Sequence, residues 1–480
     1  MANIQKKYQS NLDEVLFALS LDRHLTKPLH VQLADALRQE ILSGRAASGA
    51  RLPASRNLAE ELSVSRMTIT SAYDQLLGEG YLLTRKGAGT FVADHLPHLS
   101  PPTPRRPRLP DRPRQWLPFQ PGLPDPALFP HHQWARCLER AWRTPDAGLL
   151  ARPDPFGWHP LRAAISDHLS VWRGLDCVPE QVIITGGAWD AFDIICHVAL
   201  ESDQRVAIED PGWLPLRHAL ERSGIGSIPV RIDKDGLETD RIPEDVSAAI
   251  VTPSRHYPTG TSMPFARRLA LLDWARQNRT LIIEDDYDSE FRYQGQPLPS
   301  LSGLDGLQNT VYLGSFSKLL KPALRLGYMV VPEILIPPAQ DYLSLSGSRA
   351  SLTPQPALAD FMDSGDFATH LRRMRRTYAK RQARLIADLA DVAEFIEVTP
   401  DPSGMHLCCP LRPVLSSRTT DCRISALARE QGLYLRALSS HSTLPNPQQG
   451  LLLGYTAFAE PTLTEAAKQL TRMLTLLLKK

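Results

Sequence analysis

Between residues 28 and 92 the apolar positions recur first at helical and then at strand spacing. PLHVQLADALRQEILSG places Leu33, Leu37 and Ile41 on one face, with Ala34 alongside, and Gly44 ends the run. Ser55 is placed to cap a short second helix, SRNLAEEL. Ser65 is placed to cap a third, whose Ile69, Ala72, Tyr73, Leu76 and Leu77 fall on one stripe. GYLLTRKGAGTFVA then reads as two short strands around a Lys-Gly-Ala-Gly tip, a hairpin wing. From about residue 118 a different pattern begins. Short apolar runs (QVIIT, RVAIED, AAIVTP, LIIEDD, VYLGS) alternate with helical stretches such as AWDAFDIICHVAL and FARRLALLDWARQ. That alternation predicts a mostly parallel sheet with helices on both faces.

Proline separates the two patterns. Eleven prolines fall between Pro97 and Pro126, too many for a helix and suited to an extended, semi-rigid spacer. The five arginines between Arg105 and Arg114 face only Asp111, so the spacer is locally basic. The expected organisation is a DNA-reading domain over 1–95, a Pro/Arg-rich linker over 96–117 and a large α/β domain over 118–480. The net charge of +2 says little about partners, so any nucleic-acid contact must come from local placement of charge. Six scattered cysteines with no CxxC pair argue against a zinc site or a disulfide framework. The first apolar stretch is broken by Asp13, Glu14 and Asp22, which is no secretory signal, and no run is long enough to span a membrane. The reading is a cytoplasmic protein.

In the first unit, two helices joined by the tight turn SVS match helix-turn-helix geometry. Arg66, Thr68 and Thr70, at the start of the second helix, are aimed at base edges or phosphates of double-stranded DNA. A small helical domain with a polar face fits the periodicity equally well.

In the second unit, chemistry collects at predicted strand ends, where open α/β sheets bind ligands. TGGAWDAF offers Gly186 and Gly187 before a helix start, a geometry suited to phosphate and also common as a plain structural turn. Trp213 follows the turn in EDPGW and serves as core or as an aromatic plate. TPSRHYPTG has the makings of a pocket rim. LIIEDDYDSEFRY runs into Glu284, Asp285 and Asp286, with Tyr287 next, a cluster able to hold a metal or to face a heterocycle nitrogen. No metal is assigned, because such a site would usually add histidine or more carboxylate from nearby loops, and these offer no obvious candidates. YLGSFSKLLKPALRLGY places Lys318 near Ser315, Ser317 and Arg325. A Schiff-base lysine, a carboxylate, a phenol, an aromatic plate and a phosphate cup together are what pyridoxal 5'-phosphate requires.

Two resemblances sharpen this. RLPASRNLAEELSVSRMTITSAYDQLLGEGYLLTRKGAGTFV closely resembles the GntR-type winged helix, which implies DNA-contacting roles for Arg56, Ser65, Arg66 and Thr70 and a wing tip at Lys86 and Gly87. PGLPDPALFP, EDPGW, IIEDDYDSEFRY, YLGSFSKLLKPALRLGY and HLRRMRRTY occur in the order found in fold-type I aminotransferase-like domains. Nearly the whole chain therefore resembles the MocR/GabR family of transcriptional regulators. The resemblance implies an internal aldimine on Lys318, Asp285 at the pyridine nitrogen, Tyr287 on the ring oxygen and Trp213 stacked on the ring. It also implies phosphate ligands in Ser315, Ser317, Arg325 and the amides of Gly187 and Ala188. Asp285 and Asp286 point opposite ways on a strand, and alternation alone does not say which faces the ligand.

The sequence also departs from that pattern. Tyr257 stands where asparagine commonly precedes Pro-Thr-Gly, and Arg152-Pro153-Asp154-Pro155 replaces a Tyr-Gly-Asp-Pro stretch. PNPQQGLLLGYTAF lacks the arginine that usually forks a substrate carboxylate, and Arg436, earlier in the chain, reads as a solvated loop charge. The expectation is a homodimeric regulator sensing the cofactor itself or a small amine or amino acid. The rivals are a working aminotransferase with an appended DNA reader and a cofactor-free dimerisation scaffold.

Overall fold

The computed structural model describes residues 21–95, 116–150, 154–296, 298–347 and 349–479. Most of the proline-rich linker, with Arg152 and Pro153, lies outside them. The chain divides into two compact units, Met1–Arg114 and Gln115–Lys480.

The first unit packs three helices, α1 (Leu29–Leu42), α2 (Ser55–Glu61) and α3 (Arg66–Gly78), against a hairpin of β1 (Leu82–Arg85) and β2 (Gly89–Val92). The helical stripes become its core: Leu33, Leu37 and Ile41 of α1 close on Ile69, Ala72, Tyr73 and Leu76 of α3. Ser65 caps α3, accepting from the Thr68 amide at 3.1 Å. Ser55 does not cap α2. Ala54 takes the cap position and Ser55 is the first helical residue, its hydroxyl accepting from Arg66 Nε across the turn at 3.2 Å. The antiparallel hairpin pairs Leu82 with Val92 and Arg85 with Gly89. Its tip turns through Gly87 at φ +76, a backbone conformation that glycine adopts without strain.

The second unit is built on eight strands: β3 (Val182–Thr185), β4 (Arg205–Asp210), β5 (Gly226–Asp233), β6 (Gly236–Leu237), β7 (Ala248–Val251), β8 (Leu281–Asp286), β9 (Thr310–Ser315) and β10 (Gly327–Val330). Their order is β3-β10-β9-β8-β7-β4-β5-β6. The run from β9 to β5 is parallel. β10 is antiparallel to both its neighbours, and β6 is antiparallel to β5. The central strands are apolar on both faces because helices cover both, which explains why AAIV and LIIE read as continuous runs rather than alternations. A second sheet of β11 (His406–Pro410), β12 (Arg436–Ala437) and β13 (Gly450–Gly454) lies in the order β11-β13-β12. Asp210, at the end of β4, ties this part of the unit to the main sheet, accepting from the Thr443 amide at 2.6 Å and its hydroxyl at 2.9 Å.

Candidate functional site

The carboxyl ends of β4, β7, β8 and β9 open onto a cavity of about 440 Å3. Lys318 lies just after β9, in the short helix α4 (Phe316–Leu319), and Ser315 caps that helix. The Lys318 amine donates to the Gly122 carbonyl at 2.8 Å and has no ion-pair partner among the described residues. Burial lowers its pKa, an effect that Arg436 reinforces and Asp288 and Asp285 oppose. Gly122 suits this position by its backbone conformation. Its φ is +73, and a Cβ would stand 2.9 Å from the amine.

The carboxylates of β8 are sorted by strand alternation. Glu284 and Asp286 turn away from the cavity toward Arg173, whose Nε stands 2.8 Å from Asp286. Asp286 also accepts from Tyr312 at 2.6 Å and from Ser289 at 2.8 Å, and Glu284 accepts from the Ser302 amide at 2.9 Å. Asp285 alone of the three faces the cavity. Its carboxyl is pushed up to about 7 by burial, then by the neighbouring Asp286 charge, with Lys318 pulling it back. The cluster therefore offers one carboxylate to a ligand, which suits a heterocycle nitrogen better than a metal.

The other sequence-predicted residues share the same cavity. Gly187, Ala188, Ser315, Ser317 and Arg325 line it, and Trp213 and Tyr287 complete it. Gly187 has φ +107 with open space where a Cβ would project, so conformation and not crowding requires glycine. Arg325 is exposed, lines the cavity and holds a left-handed φ of +51. Trp213 packs edge-on against Trp189, with ring centres 5.3 Å apart.

Several residues here were given no role in the site from the sequence. Arg255, in the loop after β7, is fully buried. It donates to Tyr287 at 3.1 Å, to Asp401 at 2.8 and 3.0 Å and to the His406 carbonyl at 2.7 Å, and it pairs with Asp288 at 3.4 Å. Tyr257, in the asparagine position, contacts His441 Nε2 at 3.1 Å. Arg436 corrects an expectation: it is no solvated loop charge. It is partly buried on β12, lines the cavity and donates to Tyr257 at 3.1 Å. Sequence spacing could not show this, since strand pairing carries Arg436 to the cavity from far along the chain.

In the first unit, Arg56, Arg66, Lys86 and Gly87 are exposed. The ion pairs of this unit engage Lys27, Arg38, Arg45 and Arg85, while Arg56, Arg66 and Lys86 have none among the described residues. Ser65 and Thr68 share a hydroxyl contact at 2.9 Å, and Thr70 bonds back to the Arg66 carbonyl at 3.0 Å, so these three oxygens brace the start of α3. Met67, 74% exposed, stands among them.

Comparison with known proteins agrees with this division. Residues 29–92 match the bacterial regulatory proteins of the gntR family, and residues 144–467 match aminotransferase class I and II. The chain is similar to the probable rhizopine catabolism regulatory protein MocR of Rhizobium meliloti, 37% identical over 94% of this chain and 95% of the relative. It is also similar to the HTH-type pyridoxine biosynthesis transcriptional regulator PdxR of Corynebacterium glutamicum, 33% identical over 93% and 96%. Among solved structures, the kynurenine aminotransferase of Pyrococcus horikoshii covers 76% of this chain and 92% of its own, with a TM-score of 0.68 at 23% identity, a likeness of fold. The class I and II aminotransferases are a family that depends on pyridoxal 5'-phosphate. No helix among the described residues is long and apolar enough to cross a membrane. A winged helix matched to the gntR regulators, joined in one chain to an aminotransferase domain, with end-to-end similarity to MocR, makes this chain a member of the MocR-type gntR family of transcriptional regulators.

Proposed function

We propose that this regulator holds pyridoxal 5'-phosphate at Lys318, reads operator DNA through its winged helix, and couples the two as a cytoplasmic homodimer. The observation that carries this is the meeting, in a single cavity, of a lysine amine without an ion-pair partner, the Asp285 carboxylate, and a hydroxyl- and arginine-lined rim, while the cavity's other carboxylate, Asp288, is paired with Arg255. When bound, the cofactor supplies an aldehyde for a lysine amine and a ring that withdraws electrons. Lys318 provides the amine, kept reactive because burial favours its neutral form. Asp285 holds the proton of the ring nitrogen, Tyr287 bonds the ring oxygen and Trp213 covers a face of the ring. Ser315, Ser317, Arg325 and the amides of Gly187 and Ala188 bind the phosphate. A small amine or amino acid, or the cofactor itself, is the signal, acting by its difference in affinity for two states of the dimer.

Borohydride treatment of purified protein, followed by peptide mass analysis, tests the anchor. A cofactor mass increment is expected on the peptide carrying Lys318, and Lys318→Ala should lose it. Retention of that increment elsewhere in the mutant would refute the assignment.

For the DNA face, a duplex selected from random sequence provides the probe. Arg66→Ala is expected to weaken binding by about 1–3 kcal/mol and relax base preference. Lys86→Ala should weaken all sequences alike and reduce the salt slope by about 1. Unchanged affinity in both variants would remove this surface from the interface.

A further inference from the structure

The first turn of α3 meets solvent through an apolar side chain. Burial of Ile69, Ala72, Tyr73 and Leu76 fixes the inward side of this helix, and Met67 falls on the opposite side. At 74% exposed, Met67 is the most exposed large apolar side chain of this unit among the described residues. Its surroundings are cationic. Arg66 precedes it in the chain, and Arg56, Arg66 and Lys86 are exposed without an ion pair among the described residues. Farther along the same side, Asp74 is exposed and has no cationic partner among the described residues. That end of the helix repels phosphate, so the first turn is the part that DNA can approach closely.

The hydroxyls of that turn are largely spent within the protein. Thr70 gives its proton to the Arg66 carbonyl at 3.0 Å. Ser65 and Thr68 share one proton across 2.9 Å, and the Ser65 oxygen also accepts from the Thr68 amide at 3.1 Å. Only one of these three hydroxyls therefore keeps a proton for a base, and both threonines are half-buried. Arg66 is held differently. Its Nε is anchored on the Ser55 hydroxyl at 3.2 Å, which orients the guanidinium and leaves its terminal nitrogens unengaged among the described residues. The leading surface of α3 thus offers one oriented fork and one apolar side chain.

Donor and acceptor patterns in the major groove suit the fork, which matches the O6 and N7 of guanine. They give a thioether side chain nothing. What Met67 gains from is apolar area removed from water, and the apolar group on a base edge there is a pyrimidine C5-methyl. We propose that Met67 reads a 5-methylpyrimidine, thymine or 5-methylcytosine, beside the guanine that Arg66 is placed to read. This rests on the reading that the winged helix binds operator DNA through its major groove. The reader responds to the methyl group and not to the pairing edge of the base, so methylation of a cytosine at this position raises affinity. A second copy of this chain covering Met67 is the competing occupant, and it predicts no dependence on any methyl group.

The probe is a duplex that the full-length protein selects from random sequence. Each thymine is replaced in turn by deoxyuridine, which removes the methyl group alone. One position in each half-site is expected to lose about fourfold in affinity, the worth of one buried methyl. Met67→Ala should bind the two duplexes alike at that position while still requiring the neighbouring guanine. A C·G pair placed there should bind wild type about fourfold better when the cytosine is 5-methylated, and Met67→Ala should not distinguish the two forms. Met67 is exposed and alanine is a strong helix former, so the variant keeps α3 intact. If no thymine in the wild-type duplex responds to loss of its methyl, or the response persists in Met67→Ala, the methyl reader is overturned and DNA binding stands. An absent response joined to a changed assembly state of Met67→Ala also overturns it, and assigns the side chain to contact between copies. If no duplex is enriched at all, the underlying DNA reading fails.

Discussion

Arg255→Met is expected to destabilise the large unit by about 3–5 kcal/mol, the cost of leaving buried charge without its partner. Arg255 is 1% exposed, and Asp288, equally buried, and Asp401 share its guanidinium. The slot is built for this side chain: a Cβ at Gly404 would stand 2.0 Å from Arg255 Nε, so the backbone there lies directly on the guanidinium. Burial pushes the Asp288 carboxyl up to about 7 even with Arg255 opposing the shift. Without Arg255, the Asp288 carboxyl rises further above its unfolded value. Folded protein then binds more protons than unfolded protein across the acidic range, and stability falls as pH rises through it. The variant should therefore lose most stability near pH 8 and recover part of it near pH 5. Thermal unfolding of both proteins at the two pH values checks this. A loss equal at both would show that packing, not charge, is what Arg255 supplies. The same change removes the donor to Tyr287, so cofactor affinity should fall as well, by a smaller factor.

The fold was legible in the sequence wherever periodicity does the work. The stripe Leu33, Leu37, Ile41 and the runs VIIT, AAIV and LIIE form helix and strands for the reason that their spacing predicts, burial on one face or on two. Ser55 shows the limit of local rules, because a tertiary partner, Arg66, takes the hydroxyl that a cap would need. The cavity residues were legible as motifs because each sits within a few positions of a strand end. Arg255 and Arg436 were not. The partners of Arg255 lie 146 and 33 residues away in Asp401 and Asp288, and Arg436 meets Tyr257 across 179 residues. An arginine reads the same in sequence whether it is solvated, buried in a carboxylate pair or held against a ligand cavity. The pairing of β12 with β13 places Arg436, and the contacts with Asp288 and Asp401 place Arg255. The choice between Asp285 and Asp286 has the same character. Alternation says that they differ, and Arg173, contributed by a distant helix, decides which one is engaged within the protein.

Asp285→Asn is expected to move stability and ligand affinity in opposite directions. In cofactor-free protein the Asp285 carboxyl is held at about 7, chiefly by burial. An unfolded aspartate titrates near 3.9. Between those values the folded state binds the extra proton, so stability falls as pH rises from about 4 to 7 and stays at its lower level above. Asparagine carries no charge to desolvate. The cofactor-free variant should match wild type near pH 4 and exceed it near pH 8 by a few degrees in Tm, a stability gain at the expense of a binding group. Pyridoxal 5'-phosphate should bind the variant on the order of a hundredfold more weakly, because an amide cannot hold the ring-nitrogen proton by charge. Asp286→Asn is the contrasting change. It removes a partner from the buried Arg173 and should destabilise the protein while leaving Asp285 facing the cavity. Equilibrium dialysis with the cofactor, run beside thermal melts at both pH values, separates the two aspartates. If Asp286→Asn lost the cofactor and Asp285→Asn kept it, the assignment of Asp285 to the ring nitrogen would be wrong.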